Sequence, residues 1–271
     1  MSSADAASTY IHGFGDVEAD RLWAQAEILG RHVFEHLPLP ERGRLVELGC
    51  GVGAELDQIR RRRPELELIG VELSASHLST ALERAAHLAH LVHADATRLP
   101  LADASVDAAI TIWVLEHVPD PVAVMREALR VLRPDGVLVC TEVDNDTFRF
   151  DPPLPAVEAW WRRFCDTQSA AGGDPFVGRR LLELACDLGA RDITTTDVAV
   201  IASPDDPARQ AELIDYVDDL LTSGARTMAE HEAVSSDDLD ALRHDLDAAR
   251  ADPEVRWEYH AVQLTCRPPA D

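Results

Sequence analysis

Positive charge is scarce in this chain of 271 residues, where 25 lysine and arginine residues stand against 49 aspartates and glutamates, for a formal net charge of −24. So acidic a chain repels phosphate backbones, and it has no basic patch of the kind that tracks nucleic acid, so a nucleic-acid substrate is disfavoured. The one basic run, Arg60 to Arg63, stands just before Pro64 and reads as the solvated end of a helix, where cations meet the negative end of the helix dipole. Long apolar runs are missing too, and the opening MSSADAAST has neither the basic nor the apolar region of a signal peptide, so the expectation is a cytoplasmic protein without membrane insertion. Cysteine is sparse. Cys50, Cys140, Cys165, Cys186 and Cys266 are odd in number, scattered, and show no C-x-x-C pair or zinc-like histidine spacing. They are expected to be buried, reduced thiols, with no metal and no catalytic cysteine. A hydrophobic content of 46% at this length fits one globular enzyme with a substantial core and room for an added subdomain.

What the sequence does contain is a row of strand ends carrying ligand chemistry. Val46-Glu47-Leu48-Gly49-Cys50-Gly51-Val52-Gly53 runs an apolar strand into three glycines at alternate positions, with an acidic residue at the head. Glycine lets the chain turn sharply and lets a ligand lie on bare backbone. A second apolar strand ends in Gly70-Val71-Glu72-Leu73-Ser74, where a carboxylate can take both hydroxyls of a ribose. A third ends in Ala94-Asp95-Ala96, one βα unit further on, where an adenine amino group could be bonded. A nicotinamide dehydrogenase is the competing reading, but its G-x-G-x-x-G fingerprint would put the third glycine at position 54, which is Ala54.

In the order VELGCGVG, GVELS, HADATRLPLADASVDAAITIWVLEHVPDP and REALRVLRPDGVLVCTE, covering roughly residues 44 to 143, the chain resembles the class I S-adenosylmethionine-dependent methyltransferases, in particular the small-molecule branch of ubiquinone and menaquinone C-methyltransferases. The resemblance implies S-adenosylmethionine as cofactor. It implies that Gly49, Gly51 and Gly53 shape the loop under the methionine and ribose, that Glu47 holds loop amides or the amino group, that Glu72 binds the ribose, and that Asp95 and the Ala96 amide meet the adenine edge. Leu73, Trp113 and Gln25 join that cofactor-binding set. His77 joins it as a departure, since many relatives carry an apolar residue there. Related enzymes also begin with a Tyr-x-His-Gly stretch and a helix carrying Arg and Gln, matched here by Tyr10, His12, Gly13, Arg21 and Gln25.

Methyl transfer from a sulfonium is an in-line displacement in which positioning does most of the catalysis, but a phenol, amine or enolate must also lose a proton. His117 is the leading candidate to assist, because Trp113 to His117 carries the fourth strand into its loop beside the cofactor. His12 is the second, through a flexible, aromatic lid (Tyr10 to Gly15) that also presents Tyr10. The substrate expected is a small, largely apolar metabolite methylated at carbon, oxygen or nitrogen, with specialised-metabolite biosynthesis as the expected setting; the alternatives are a non-methylating, cyclase-type enzyme and a non-catalytic module that binds S-adenosylmethionine on the same fold. Nothing in the sequence decides between a monomer and a homo-oligomer.

The alternation of strands and helices from Arg44 onward predicts a Rossmann-like, seven-stranded, mostly parallel sheet with helices on both faces and a helical cap from the N-terminus and two insertions. The boundaries expected are a lid and helix over 1–43, a cofactor-binding core over 44–143, cap insertions over 144–177 and 203–254, a core helix and strand over 178–202, and a final strand and tail over 255–271. Asp16 to His36 has the spacing of an amphipathic helix, and Asp205–Leu221 and Ser235–Arg250 read as acidic helices. Trp160 and Trp161 point roughly 100° apart on a helix, so one of them is expected in the core.

Overall fold

The computed structural model describes residues 10–35 and 37–270, so residues 1–9 of the predicted lid and the last residue of the predicted first helix, His36, lie outside the described residues. The parallel core is β1 (Arg42–Leu48), β2 (Glu65–Glu72), β3 (His90–His93), β4 (Val106–Ile112) and β5 (Leu132–Val143), hydrogen-bonded in the order β3-β2-β1-β4-β5. Chain order reverses between β1 and β4, and the carboxyl ends of all five strands gather on one edge, the place where open α/β sheets bind ligands.

Helix α1 (Asp16–Phe34) precedes β1, and α2 (Ala54–Arg62), α3 (Ala75–Arg84) and α4 (Pro121–Val131) are the crossover helices. Side chains alternate across β1, so that Leu45 joins one apolar cluster with Leu29 of α1 and Ile59 of α2, while Val46 and Leu48 join the other with Leu129 of α4. Glu47 therefore shares its face with Leu45, toward α1 and α2. Asp120 starts α4 by accepting from the Ala123 amide, with Pro121 at the first helical position, where its missing N–H costs nothing. The basic run ends α2 as expected, with Arg60 donating to the Pro64, Leu66 and Leu88 carbonyls.

The described sheet has eight strands rather than seven. After β5 come the three-residue β6 (Arg149–Asp151), then α5 (Pro155–Ala170), α6 (Leu181–Asp187) and β7 (Arg191–Ala202). The chain continues through α7 (Pro207–Ser223), α8 (Ala225–Glu230), α9 (Ser236–Ala251) and β8 (Arg256–Arg267). β8 runs antiparallel to β5, β7 and β6, which gives a closing antiparallel pair plus one short added pairing. The start of α9 is a capping box in which Ser235 and Asp238 bond each other's backbone amides.

α1, α5, α7, α8 and α9 build a layer above the carboxyl edge, filled by aromatic residues. Trp160 and Trp161 are both buried, at 1% and 7% exposure, and both indole N–H groups are satisfied, by the Leu221 and Asn145 carbonyls. Both belong to the core because α5 is wrapped on two sides, so a 100° separation leaves neither ring outside. Trp161 stacks between Phe148 and Phe164, at 4.3 and 4.9 Å between ring centroids. Four of the five cysteines are buried as expected; Cys186 is exposed. No helix among the described residues is long and apolar enough to cross a membrane.

Candidate active site

The glycine loop leaves β1 with Gly49, Gly51 and Gly53 at φ of +74°, +51° and +84°, the left-handed region that side chains resist. Neighbouring strands hold it: the Gly49 and Cys50 amides donate to the Val71 carbonyl at 2.8 and 3.0 Å, and the Gly51 amide donates to Glu72 Oε2 at 2.9 Å. The other Glu72 oxygen accepts from the Ser74 amide at 2.7 Å. Each oxygen retains a lone pair, so Glu72 both braces the loop and can still accept from a ligand. Gly49 and Gly53 are packed, since a Cβ at Gly49 would sit 2.7 Å from a Val114 methyl and one at Gly53 2.6 Å from the Ala85 Cβ. At Gly51 a Cβ would meet nothing within 4 Å.

Behind the loop, Glu47 is buried with Oε2 unpartnered. Burial, together with Glu55 and Glu72, pushes its carboxyl well above the usual range, and burial likewise pushes Glu55 up to about 7. An acidic, under-satisfied recess beside bare backbone fits a ligand carrying positive charge and hydrogen-bond donors. His77 adds a second orphan, its buried Nε2, in the first turn of α3. Leu73, Asp95 and Ala96 lie at the outer rim, next to Glu72 because the Ala94 amide donates to the Glu72 carbonyl at 3.1 Å. Asp95 Oδ1 is taken by the Thr97 amide and hydroxyl, while the rest of the side chain faces solvent.

Trp113, just after β4, has φ of +52°, an outlier for a bulky residue. What enforces this reversal is Glu142 of β5. Its fully buried carboxylate accepts from the Thr111 hydroxyl at 2.9 Å on one side of the reversal, and from the Val114 and Leu115 amides at 3.1 Å on the other. Burial pushes Glu142 up to about 8, with Glu116 adding to the effect. A folded value above that of an unfolded glutamate means that the stability it contributes is present at low pH and is lost as pH rises through about 8. Glu142→Gln keeps an acceptor for the two amides and stays neutral. The fall in melting temperature between about pH 5 and 8.5 should therefore shrink by roughly 2–4 °C in the variant, the shift that about 1 kcal/mol produces in a chain of this size. Equal slopes in thermal melts of the two proteins would remove Glu142 as the source.

Residues 10–15 close over the edge. The Tyr10 ring packs edge-on against His77 and His117, at 5.4 and 5.0 Å, and its hydroxyl donates to Glu18 at 2.6 Å. Ile11 is 1% exposed, and the Phe14 carbonyl accepts from the Ser76 hydroxyl at 3.0 Å. Glu18 is in turn held by the buried Arg21, whose Nη1 donates to Gln25 at 2.8 Å. This polar line, spaced three and four residues apart on α1, passes under the lid. His12 Nδ1 lies 2.6 Å from the Ser223 hydroxyl at the end of α7, and the His12 and His117 rings stand 5.9 Å apart, edge to face. Burial lowers the pKa of both and so favours the neutral rings, helped by Arg21 in each case and, for His12, by His117, and opposed at His117 by Glu116 and Glu18.

The fold thus brings Tyr10, His12, His77 and His117 into one cluster and Glu47, the glycines and Glu72 into an adjoining one. It places Gln25 against Arg21 in the line beneath the lid and Trp113 at the turn that presents His117. Glu18, Glu55, Glu116, Gln168 and Ser223 complete the site without having been picked out in the sequence. Only Glu18 carried a signal there, as the i, i+3 partner of Arg21. A cleft of about 830 Å³ lies elsewhere, between Pro38, Arg42, Asp107 and Arg133 near the amino ends of the strands, away from all these groups.

Residues 46–140 match the family model described as a methyltransferase domain. Trans-aconitate 2-methyltransferase of Methylobacterium radiotolerans is 31% identical over 208 residues, 74% of each chain. This chain belongs to the class I S-adenosylmethionine-dependent methyltransferases. The 27-O-demethylrifamycin SV methyltransferase of Amycolatopsis mediterranei is 34% identical over 132 residues, 47% of this chain and 48% of the relative. In the first three curated relatives the matched stretch spans 42%, 53% and 48% of their length, so this chain covers about half of each. The crystal structure of a [4+2]-cyclase, SpnF, shares the fold at a TM-score of 0.54 and 20% identity, covering 93% of this chain and 82% of that one.

Proposed function

We propose that this methyltransferase transfers the methyl group of S-adenosylmethionine to a small, largely apolar metabolite, at a site enclosed by the N-terminal segment. The observation that carries the reading is the open space that a Cβ at Gly51 would meet, on a loop braced by Glu72, together with the unpartnered, buried Glu47 carboxyl at the end of the same strand. The cofactor supplies an electrophilic methyl on a sulfonium. Gly49, Gly51 and Gly53 lay backbone against it, Glu47 takes its amino group, Glu72 its ribose hydroxyls, and Leu73, Asp95, Ala96 and His77 surround its base. Trp113 and Gln25, with Arg21, line the methionine side. Tyr10 and the cap exclude water, and the two neutral histidines handle the acceptor's proton. Buried aromatic residues above the edge and the pairing of Arg21 with Glu18 favour a neutral, apolar acceptor over a multiply charged one.

The test is calorimetric titration with S-adenosylmethionine, followed by detection of S-adenosylhomocysteine after incubation with a panel of candidate acceptors. Binding without release across the panel would favour a non-methylating enzyme or a binding module; no binding would overturn the reading. Glu72→Ala should weaken cofactor binding by about 1.5–3 kcal/mol, the scale for hydrogen bonds to a charged acceptor, through loss of both the ribose contact and the brace on Gly51. Unchanged affinity in a folded variant would remove Glu72 from the site.

A further inference from the structure

The hydrogen bonds around Ser223 fix the tautomer of His12, and this gives the ring a role of its own. The Ser223 hydroxyl lies 2.7 Å from the Leu220 carbonyl, which can only accept, so its proton points there. At 2.6 Å from His12 Nδ1 the same oxygen must therefore receive a hydrogen bond, which makes Nδ1 the protonated nitrogen of a neutral His12 and leaves the lone pair on Nε2. No described residue donates to that Nε2. His117 is surrounded differently. The Gln168 side-chain nitrogen donates its two protons to the Glu116 carboxylate at 2.9 Å and to the Glu116 carbonyl at 3.3 Å, and it lies 3.2 Å from His117 Nδ1, while His117 Nε2 is 3.7 Å from Glu116.

We propose that His12 Nε2 is the general base of the proposed methyl transfer and that Ser223 is the positioning residue that sets its tautomer. This assignment rests on the methyl-transfer reading. It reverses the order of candidates that the sequence suggests, where His117 leads.

The groups facing His12 are Arg21 from α1, His117 from the loop after β4, Tyr10 from its own segment, Phe164 from α5 and Ser223 from α7. Those facing His117 are Glu116, Gln168, Tyr10, His12, Arg21 and Glu18. A proton leaving the acceptor's hydroxyl, amine or activated carbon passes to Nε2 and gives an imidazolium whose Nδ1–H stays on Ser223. Beside Arg21 that cation is disfavoured, so the proton is passed on to solvent when the lid opens. Specificity follows as well: the acceptor must carry a removable proton on the side of the lid, which selects phenols, neutral amines and enolisable carbons over groups already deprotonated in solution.

The deciding experiment is nitrogen-15 NMR of the histidine rings in the ligand-free protein near pH 8, with His12 and His117 assigned by single replacement. The expected spectrum has His12 protonated at Nδ1. In Ser223→Ala, His12 should move to the Nε2–H form or to a mixture of tautomers, and Ser223→Thr should restore Nδ1–H. An Nε2–H His12 in the wild type, or a tautomer indifferent to Ser223→Ala, overturns the proposal. Should the alanine variant fail to fold, the wild-type and threonine spectra still decide. Because no cofactor or acceptor is present, failure here leaves the methyl-transfer reading standing, and failure of cofactor binding does not alter the tautomer result. With an acceptor identified by the release assay, Ser223→Ala should lower turnover about tenfold or more, with cofactor affinity unchanged and a displaced pH–rate profile, and Ser223→Thr should recover it. Equal turnover in all three proteins would remove His12 as the base.

Discussion

Replacing Gly51 by valine is expected to weaken S-adenosylmethionine binding by at least about a hundredfold, roughly 2.7 kcal/mol, in a protein that still folds. Two effects act at this position and the structure separates them. The backbone at φ +51° resists a β-branched residue, at a cost of about 1–2 kcal/mol to the fold. The larger effect is on binding, because the valine methyls project into space where no protein atom comes within 4 Å of the Cβ and where the ligand is placed. Gly53→Val is the contrasting case. Its Cβ would meet Ala85 at 2.6 Å, so the damage falls on the packing of α2 against the segment after α3 and on stability first. Calorimetry and thermal melts on the two variants should therefore give opposite rankings. If Gly51→Val binds the cofactor as the wild type does, the empty space is not where it lies.

That contrast marks what could and could not be read from the sequence. The positions of the loop, Glu72 and Asp95 were legible because each sits at the end of its own strand, where a few consecutive residues state the turn. Both cap helices were legible as well, one through the Ser235 start and its apolar spacing. The three-residue β6 was not, since Arg149–Asp151 is a strand only by virtue of pairing with Arg256–Glu258, more than a hundred positions away. The partner that sets the His12 tautomer is equally remote: Ser223 lies 211 positions from His12, and Gln168, which packs beside His117, lies 51 from it. Nothing local distinguishes a serine at a helix end that caps a carbonyl from one that also orients a base. Glu142 shows the same limit, because a glutamate in β5 is visible in the sequence, but that it braces the Trp113 reversal is a fact of the β4–β5 register.

The segment over the site sets up the second large effect. Deleting residues 1–15 should cut turnover by about a hundredfold or more, because Tyr10 and His12 leave together and water gains the edge of the sheet. Their removal also costs stability, since Ile11 is buried to 1% exposure and packs with the cap near Gly224; burying an isoleucine is worth about 1.5–3 kcal/mol. A drop in both quantities would by itself be ambiguous. Ile11→Ala provides the reference, because it removes most of that burial while keeping Tyr10, His12 and the Glu18 contact. At a temperature where both variants are fully folded, the truncated protein should lose far more turnover than Ile11→Ala, and it should release S-adenosylmethionine faster in stopped-flow measurements. If the two variants lose turnover equally, the segment acts only as packing, and the proton must be handled by His117 or by the acceptor itself.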